Sequence, residues 1–168
     1  MLRKLTALSA LAIALFAAGS ARAEYFAVGA YEFRPTNPVT KINYYGGRGL
    51  YVDQYASATV IATLHIPVGR TLRTVYCHVL DASSSQDLTV RILENSSGDL
   101  SGWGGREMLK MSTVGTGTTR LVSSNFVGSK VIRDWSGTGP YTFYSYNLEV
   151  TMGDSTGLHI KNCLIDTY

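Results

Sequence analysis

Residues 87–94 read DLTVRILE, and apolar side chains recur there at every second position. Leu88, Val90 and Ile92 fall on one side, with Thr89 and Arg91 on the other. Side chains of an extended strand point alternately to its two faces, so this pattern fits a half-buried strand and cannot keep one face of a helix apolar. Residues 141–151 repeat it, setting Tyr144, Tyr146, Leu148 and Val150 against Ser145, Asn147, Glu149 and Thr151. Residues 71–80 place Val75, Cys77 and Val79 opposite Tyr76 and His78. Residues 58–66, ATVIATLHI, are nearly apolar throughout, which predicts a central strand covered on both faces. No helical period appears after residue 23.

Between these runs lie Gly, Ser, Asn and Asp, the residues that reverse a backbone. Breaks fall at 67–69, 82–86, 95–105, 115–119 and 135–140. Many short strands at this spacing predict an all-β protein: one antiparallel β-sandwich domain, jelly-roll-like, over residues 24–168. No internal repeat or linker divides it. A membrane barrel is the rival architecture. Counting back by twos from Tyr168 puts Asp166 and Asn162 on its lipid face, which is costly.

Residues 1–23 are read separately. Arg3 and Lys4 precede an apolar run from Leu5 to Ala18, and Ala21-Arg22-Ala23 forms a small-x-small cleavage site. This is the pattern of a secretory signal peptide cleaved after Ala23, and it predicts a secreted or periplasmic protein. The chain carries 15 Lys+Arg against 12 Asp+Glu, but Arg3, Lys4 and Arg22 belong to the signal and no acid does. Twelve of each remain. Such a balance offers no stripe for phosphate, so nucleic acid is a poor partner. Nor does any later apolar stretch suffice for a membrane-spanning helix. In an exported chain, two cysteines favour a disulfide, here Cys77 with Cys163. It would require strand neighbours on one face, and closing so long a loop is worth about 4 kcal/mol by chain entropy. Two unpaired buried thiols are the alternative.

Several ordered segments together resemble a widespread group of uncharacterised secreted bacterial single-domain β-sandwich proteins. They are Phe33-Arg34-Pro35, the Pro67-x-Gly69 turn before a central hairpin, and Asp81 closing a strand ahead of a Ser-rich loop and Asp87-Leu88. The resemblance implies the fold and the exported location. It implies no activity.

Four constellations bear on chemistry. Gly153-Asp154-Ser155-Thr156-Gly157 has the lettering of a hydrolase nucleophile, but both flanks alternate like strands, so Ser155 is read as part of a turn. A Ser-dependent hydrolase using His65 or His78 with Asp81 is the least favoured reading. Asp81, Ser83, Ser85 and Asp87 alternate as calcium ligands do, yet Gln86 and Ile92 stand where an EF-hand loop needs Gly and Glu. Asp81 and Asp87 are therefore expected to bond their own loop, with no metal or cofactor required. His65, His78 and His159 lie on separate strands without metal-site spacing. Lastly, Trp103 and Trp135 occupy Gly/Ser-rich loops, accompanied by eleven tyrosines that include Tyr44-Tyr45 and Tyr141. Either Trp could be a flat platform for a sugar ring or a protein surface, or it could fold back over the end of the sandwich. The chain is thus expected to be a non-catalytic structural or binding module at the cell surface or in the periplasm. A small carbohydrate-binding module built on the tryptophans is the alternative. Self-association is open, as for other jelly rolls.

Overall fold

The structure is a computed structural model that describes residues 23–47, 49–52, 57–96, 105–128, 130–133, 135–136, 142–153 and 156–168. The predicted signal peptide up to residue 22, Trp103, Tyr141 and Ser155 lie outside the described residues, as does the side chain of Trp135.

Twelve strands are described: β1 (Glu24–Gly29), β2 (Arg34–Pro35), β3 (Ile42–Tyr45), β4 (Gly49–Val52), β5 (Ala58–Thr63), β6 (Leu72–Asp81), β7 (Leu88–Ser96), β8 (Arg106–Ser112), β9 (Arg120–Ser123), β10 (Trp135–Ser136), β11 (Thr142–Met152) and β12 (Leu158–Thr167). A single 3₁₀ turn, η1 (Ala30–Glu32), follows β1. One sheet runs β3-β4-β12-β6-β9 with β1 also on β12, and the other β2-β5-β11-β7-β8 with β10 on β11. All pairings are antiparallel. Taken in chain order, the eight principal strands β4, β5, β6, β7, β8, β9, β11 and β12 give sheet orders 1-8-3-6 and 2-7-4-5. That is the jelly roll, two interlocked Greek keys.

Period-two alternation becomes a packed core directly. In the first sheet Val28, Cys163, Cys77 and Leu121 form one inward row across β1, β12, β6 and β9. In the second, Val60, Val150, Val90 and Met111 do the same across β5, β11, β7 and β8. Every one of these side chains is buried. Each large one contributes about 1.5–3 kcal/mol by leaving water, and the two rows face each other as the inner surfaces of the sandwich. Cys77 and Cys163 are direct cross-strand partners with Cα atoms 4.1 Å apart, and they form the predicted disulfide.

Three sequence expectations change. Residues 58–66 do not form a strand covered on both faces: β5 alternates buried Val60 and Ala62 with half-buried Thr59 and Ile61, and its outer neighbour is the two-residue β2. Trp135 and Ser136, read as part of a loop, pair with Phe143 and Thr142 as a short strand. The loops at 82–87 and 153–157 are not hairpins either, because β6 and β7 lie in different sheets, as do β11 and β12. Alternation marks the buried face of a strand but leaves open which sheet the next strand enters.

Candidate functional site

Along one edge of β12, two strands share the pairing. β1 covers Asn162 to Thr167, and β4 covers only His159 and Ile160. Between them β12 carries a bulge at Lys161, where its register with β6 slips. An extra residue there bends the strand and turns its side chain out of the ladder. The bulge also shifts the frame of alternation, so Ile160, Cys163 and Ile165 all face the core and counting back by twos from Tyr168 fails. Gly49 makes the junction fit. Its φ is +95°, and a Cβ there would lie 2.2 Å from the carbonyl oxygen of Ile160 and 2.7 Å from Cα of Lys161. Only glycine allows the backbone of β4 so near the bulge.

This gap is a cleft of about 290 Å³, lined by the end of β1 and η1 (Gly29, Ala30, Tyr31), the β3–β4 hairpin (Tyr44, Tyr45, Gly47, Gly49), and Lys161 and Asn162. Three tyrosines edge it. Tyr31 is 71% exposed and Tyr45 55%. The rings of Tyr31 and Tyr44 stack with centroids 4.6 Å apart and planes at 24°. Both are fixed from below: the Tyr44 hydroxyl donates to the Phe33 carbonyl at 3.3 Å, and the Gly29 amide donates to the Glu32 carboxylate at 2.6 Å, closing η1. Phe33, from the Phe-Arg-Pro stretch, is wholly buried and anchors the turn in the core. The result is an aromatic edge beside a lining that includes Gly29, Gly47 and Gly49.

A second polar cluster lies at the rim of the other sheet, beside a groove of about 760 Å³. Buried Glu94 receives Arg106 Nη2 at 2.9 Å, Arg133 Nη2 at 3.2 Å and the Tyr146 hydroxyl at 3.1 Å. The Tyr146 hydroxyl in turn accepts the Arg133 amide at 3.0 Å. Burial, with Glu94 beside it, pushes the Tyr146 phenol above its ordinary value. For Arg133, burial works downward, but the hydrogen bond and charge of Glu94 outweigh it and leave the guanidinium raised. The Arg133 guanidinium also covers the Tyr144 ring at 4.5 Å. Three donors hold one carboxylate, so the cluster acts as an internal tie between β7, β8, β11 and the segment before β10.

Asp81 is buried, and its Oδ1 accepts the Ser83 amide at 3.0 Å, while Ser83 Oγ accepts the Gln86 amide at 3.1 Å. The first is the loop bond expected of Asp81. Asp87 is exposed. Among the described residues no three His, Cys, Asp or Glu converge as metal ligands would. His78 is exposed opposite buried Cys77, and His159 packs on Tyr51 with ring centroids 5.1 Å apart. Ser155 is not described, but β12 starts at Leu158 as a strand, so the helix that a nucleophile elbow needs is replaced by β structure there. The sequence reading put Trp103 and Trp135, whose side chains lie outside the described residues, first as platform candidates; it named Tyr44-Tyr45 only as companions and did not single out Tyr31. The signal that was present is the Tyr44-Tyr45-Gly46-Gly47 run with Gly49, large flat rings beside residues that have no side chain.

Fold and cleft together define a jelly-roll β-sandwich with an aromatic edge site. No protein-family model matches the chain, and no curated protein is detectably similar to it in sequence. Among solved structures it is similar to the CBM36-1 domain of a multidomain xylanase from the hindgut metagenome of Trinervitermes trinervoides. That match has 11% identity and a TM-score of 0.44, over 84% of this chain and 96% of that one. It is similar also to a low-affinity xylan binding module, CBM86, from Roseburia intestinalis, at 11% identity and a TM-score of 0.43, over 86% and 92%. TmCBM61 in complex with β-1,4-galactotriose matches at 13% and 0.39, over 81% and 84%. Likeness at that level says nothing of what this chain binds.

Proposed function

We propose that the protein is an exported, non-catalytic binding module that holds a carbohydrate ring in the tyrosine cleft. The stacked, solvent-facing Tyr31–Tyr44 pair carries this reading. A pyranose presents an apolar C–H face and a hydroxyl-lined edge. Tyrosines match both, with an apolar ring and a polar tip, and lose little conformational freedom when they bind. The glycine lining admits a flat ligand, and Lys161 and Asn162 supply polar groups at its side. Export is supported by the leader-like residues 1–23, by β1 beginning at Glu24, the first residue after the expected cleavage, and by a buried disulfide of the kind oxidising compartments preserve. Among the described residues no helix is long and apolar enough to cross a membrane.

A glycan array probed with the residue 24–168 protein tests the reading. Retention on at least one glycan is expected, with Tyr31→Ala and Tyr45→Ala each reducing it about tenfold, as loss of an aromatic anchor does. Trp103→Ala and Trp135→Ala serve as the competing pair. Loss of binding in those two alone moves the platform to the tryptophans, and no retention on any glycan ends the proposal.

A further inference from the structure

The tyrosine cleft continues past Lys161. A second depression, of about 480 Å³, shares Gly47 and Lys161 with the first and extends to His78 and Arg120. One row of the sheet joins the two. Gly29 of β1 pairs with Asn162, Asn162 with His78, and His78 with Arg120. This row stands one residue beyond the core row of Val28, Cys163, Cys77 and Leu121, so the pleat turns it outward. Across four strands it spans about 14 Å, at roughly 4.8 Å per strand. His78 Nδ1 and Asn162 Oδ1 are hydrogen-bonded at 2.9 Å, which fixes the middle of the row.

The fixed charge on this row and at the bulge beside it has one sign. Lys161, thrown outward by the bulge, and Arg120, with its guanidinium 5.8 Å from the Tyr76 ring, are both exposed. Among the described residues neither has a carboxylate within ion-pair distance, and no acidic residue lines either depression. Among the other described cations, Arg70, Arg73, Arg91, Arg106 and Arg133 are each paired with Asp or Glu, while Arg34, Lys41, Lys110 and Lys130 stand apart from both depressions without such a pair. Among the described residues, Lys161 and Arg120 are the cations that line the two joined depressions, and neither is held by a carboxylate.

We propose that the Lys161–Arg120 row is a subsite for the negative group of an anionic glycan, a carboxylate or a sulfate, whose ring lies on Tyr31 and Tyr44. The inference rests on the glycan reading above and names its substrate class. Arginine offers a planar fork that matches either oxyanion, and lysine a mobile point charge; neither has to break an existing ion pair to bind. The length of the row fits a ligand of more than one ring, with its apolar face at the tyrosines and its charge beyond Lys161.

Affinity electrophoresis of the residue 24–168 protein tests this, in gels cast with a neutral glucan, polygalacturonate or dextran sulfate. The variants are Arg120→Gln/Lys161→Gln and Tyr31→Ala. Both cations are exposed, so the double variant is expected to keep its thermal midpoint. Strongest retardation is expected in one of the two anionic gels, which tells carboxylate from sulfate. There the double variant should bind at least about tenfold more weakly, a larger loss than in neutral glucan, where Lys161 lines the tyrosine cleft, and Tyr31→Ala should weaken binding throughout. Equal retardation of wild type and double variant in the anionic gels overturns the proposal. Retardation by neutral glucan alone, lost in Tyr31→Ala, also overturns it while leaving the tyrosine cleft standing. Equal binding of dextran sulfate and DNA, indifferent to Tyr31→Ala, would mean unspecific polyanion binding and overturn it as well. No retardation in any gel would count against the glycan reading itself.

Discussion

Gly49 shows how one residue can hold a site open without touching a ligand. Its positive φ and the backbone atoms of Ile160 and Lys161 within 2.7 Å of a virtual Cβ oppose any side chain. Gly49→Ala must either push β4 away from the bulge or distort it, so we expect a loss of about 3 kcal/mol in urea titrations and a weakened cleft. Gly47 separates the two causes. Its φ is +80° but nothing lies within 4 Å of a Cβ there, so Gly47→Ala should cost only about 1 kcal/mol. Tyr146 gives a residue-scale prediction in pH. Burial raises its phenol above the ordinary value, so the unfolded chain gives up that proton first as pH rises. Its contribution is complete below about pH 10 and is lost above it, where the unfolded state holds fewer protons than the native state. Denaturant midpoints measured between about pH 8 and pH 11 should fall with pH, and less so in Tyr146→Phe.

At the scale of the element, β12 organises the molecule. It pairs with β6 along one edge and with both β4 and β1 along the other. Its bulge at Lys161 makes the cleft, and one residue on each side of the pleat separates the disulfide row from the binding row. Cys163 pins β12 to β6 across a sequence separation of 86. Reduction, or Cys77→Ala with Cys163→Ala, should therefore cost about 4 kcal/mol by chain entropy. Both cysteines are wholly buried, so reductant should act only once denaturant opens the sandwich. Comparing urea midpoints of oxidised and reduced protein checks both expectations.

For the whole molecule, what could be read from the sequence was what neighbouring residues decide. Alternation in DLTVRILE and in residues 141–151 located β7 and β11, and Asp81 followed by Ser83 marked its own loop bonds. Sheet membership could not be read, because whether β7 pairs with β6 or with β11 depends on partners 48 to 64 residues away. The cleft was hidden for the same reason. Tyr31 and Tyr44 lie on a 3₁₀ turn and a four-residue strand, where no period exists, and they meet only because β1 and β4 divide one edge of β12. That seam also governs how the molecule answers a pull. Glu24 and Thr167 are partners in one ladder, so tension applied at those two points peels β1 from β12 one hydrogen bond at a time instead of shearing the whole ladder at once. The Cys77–Cys163 bridge does not tie β1, but it holds β12 to β6 after β1 has come away. With the 86-residue span closed, about 300 Å of contour, at roughly 3.5 Å per residue, stays stored until a reductant reaches the bond.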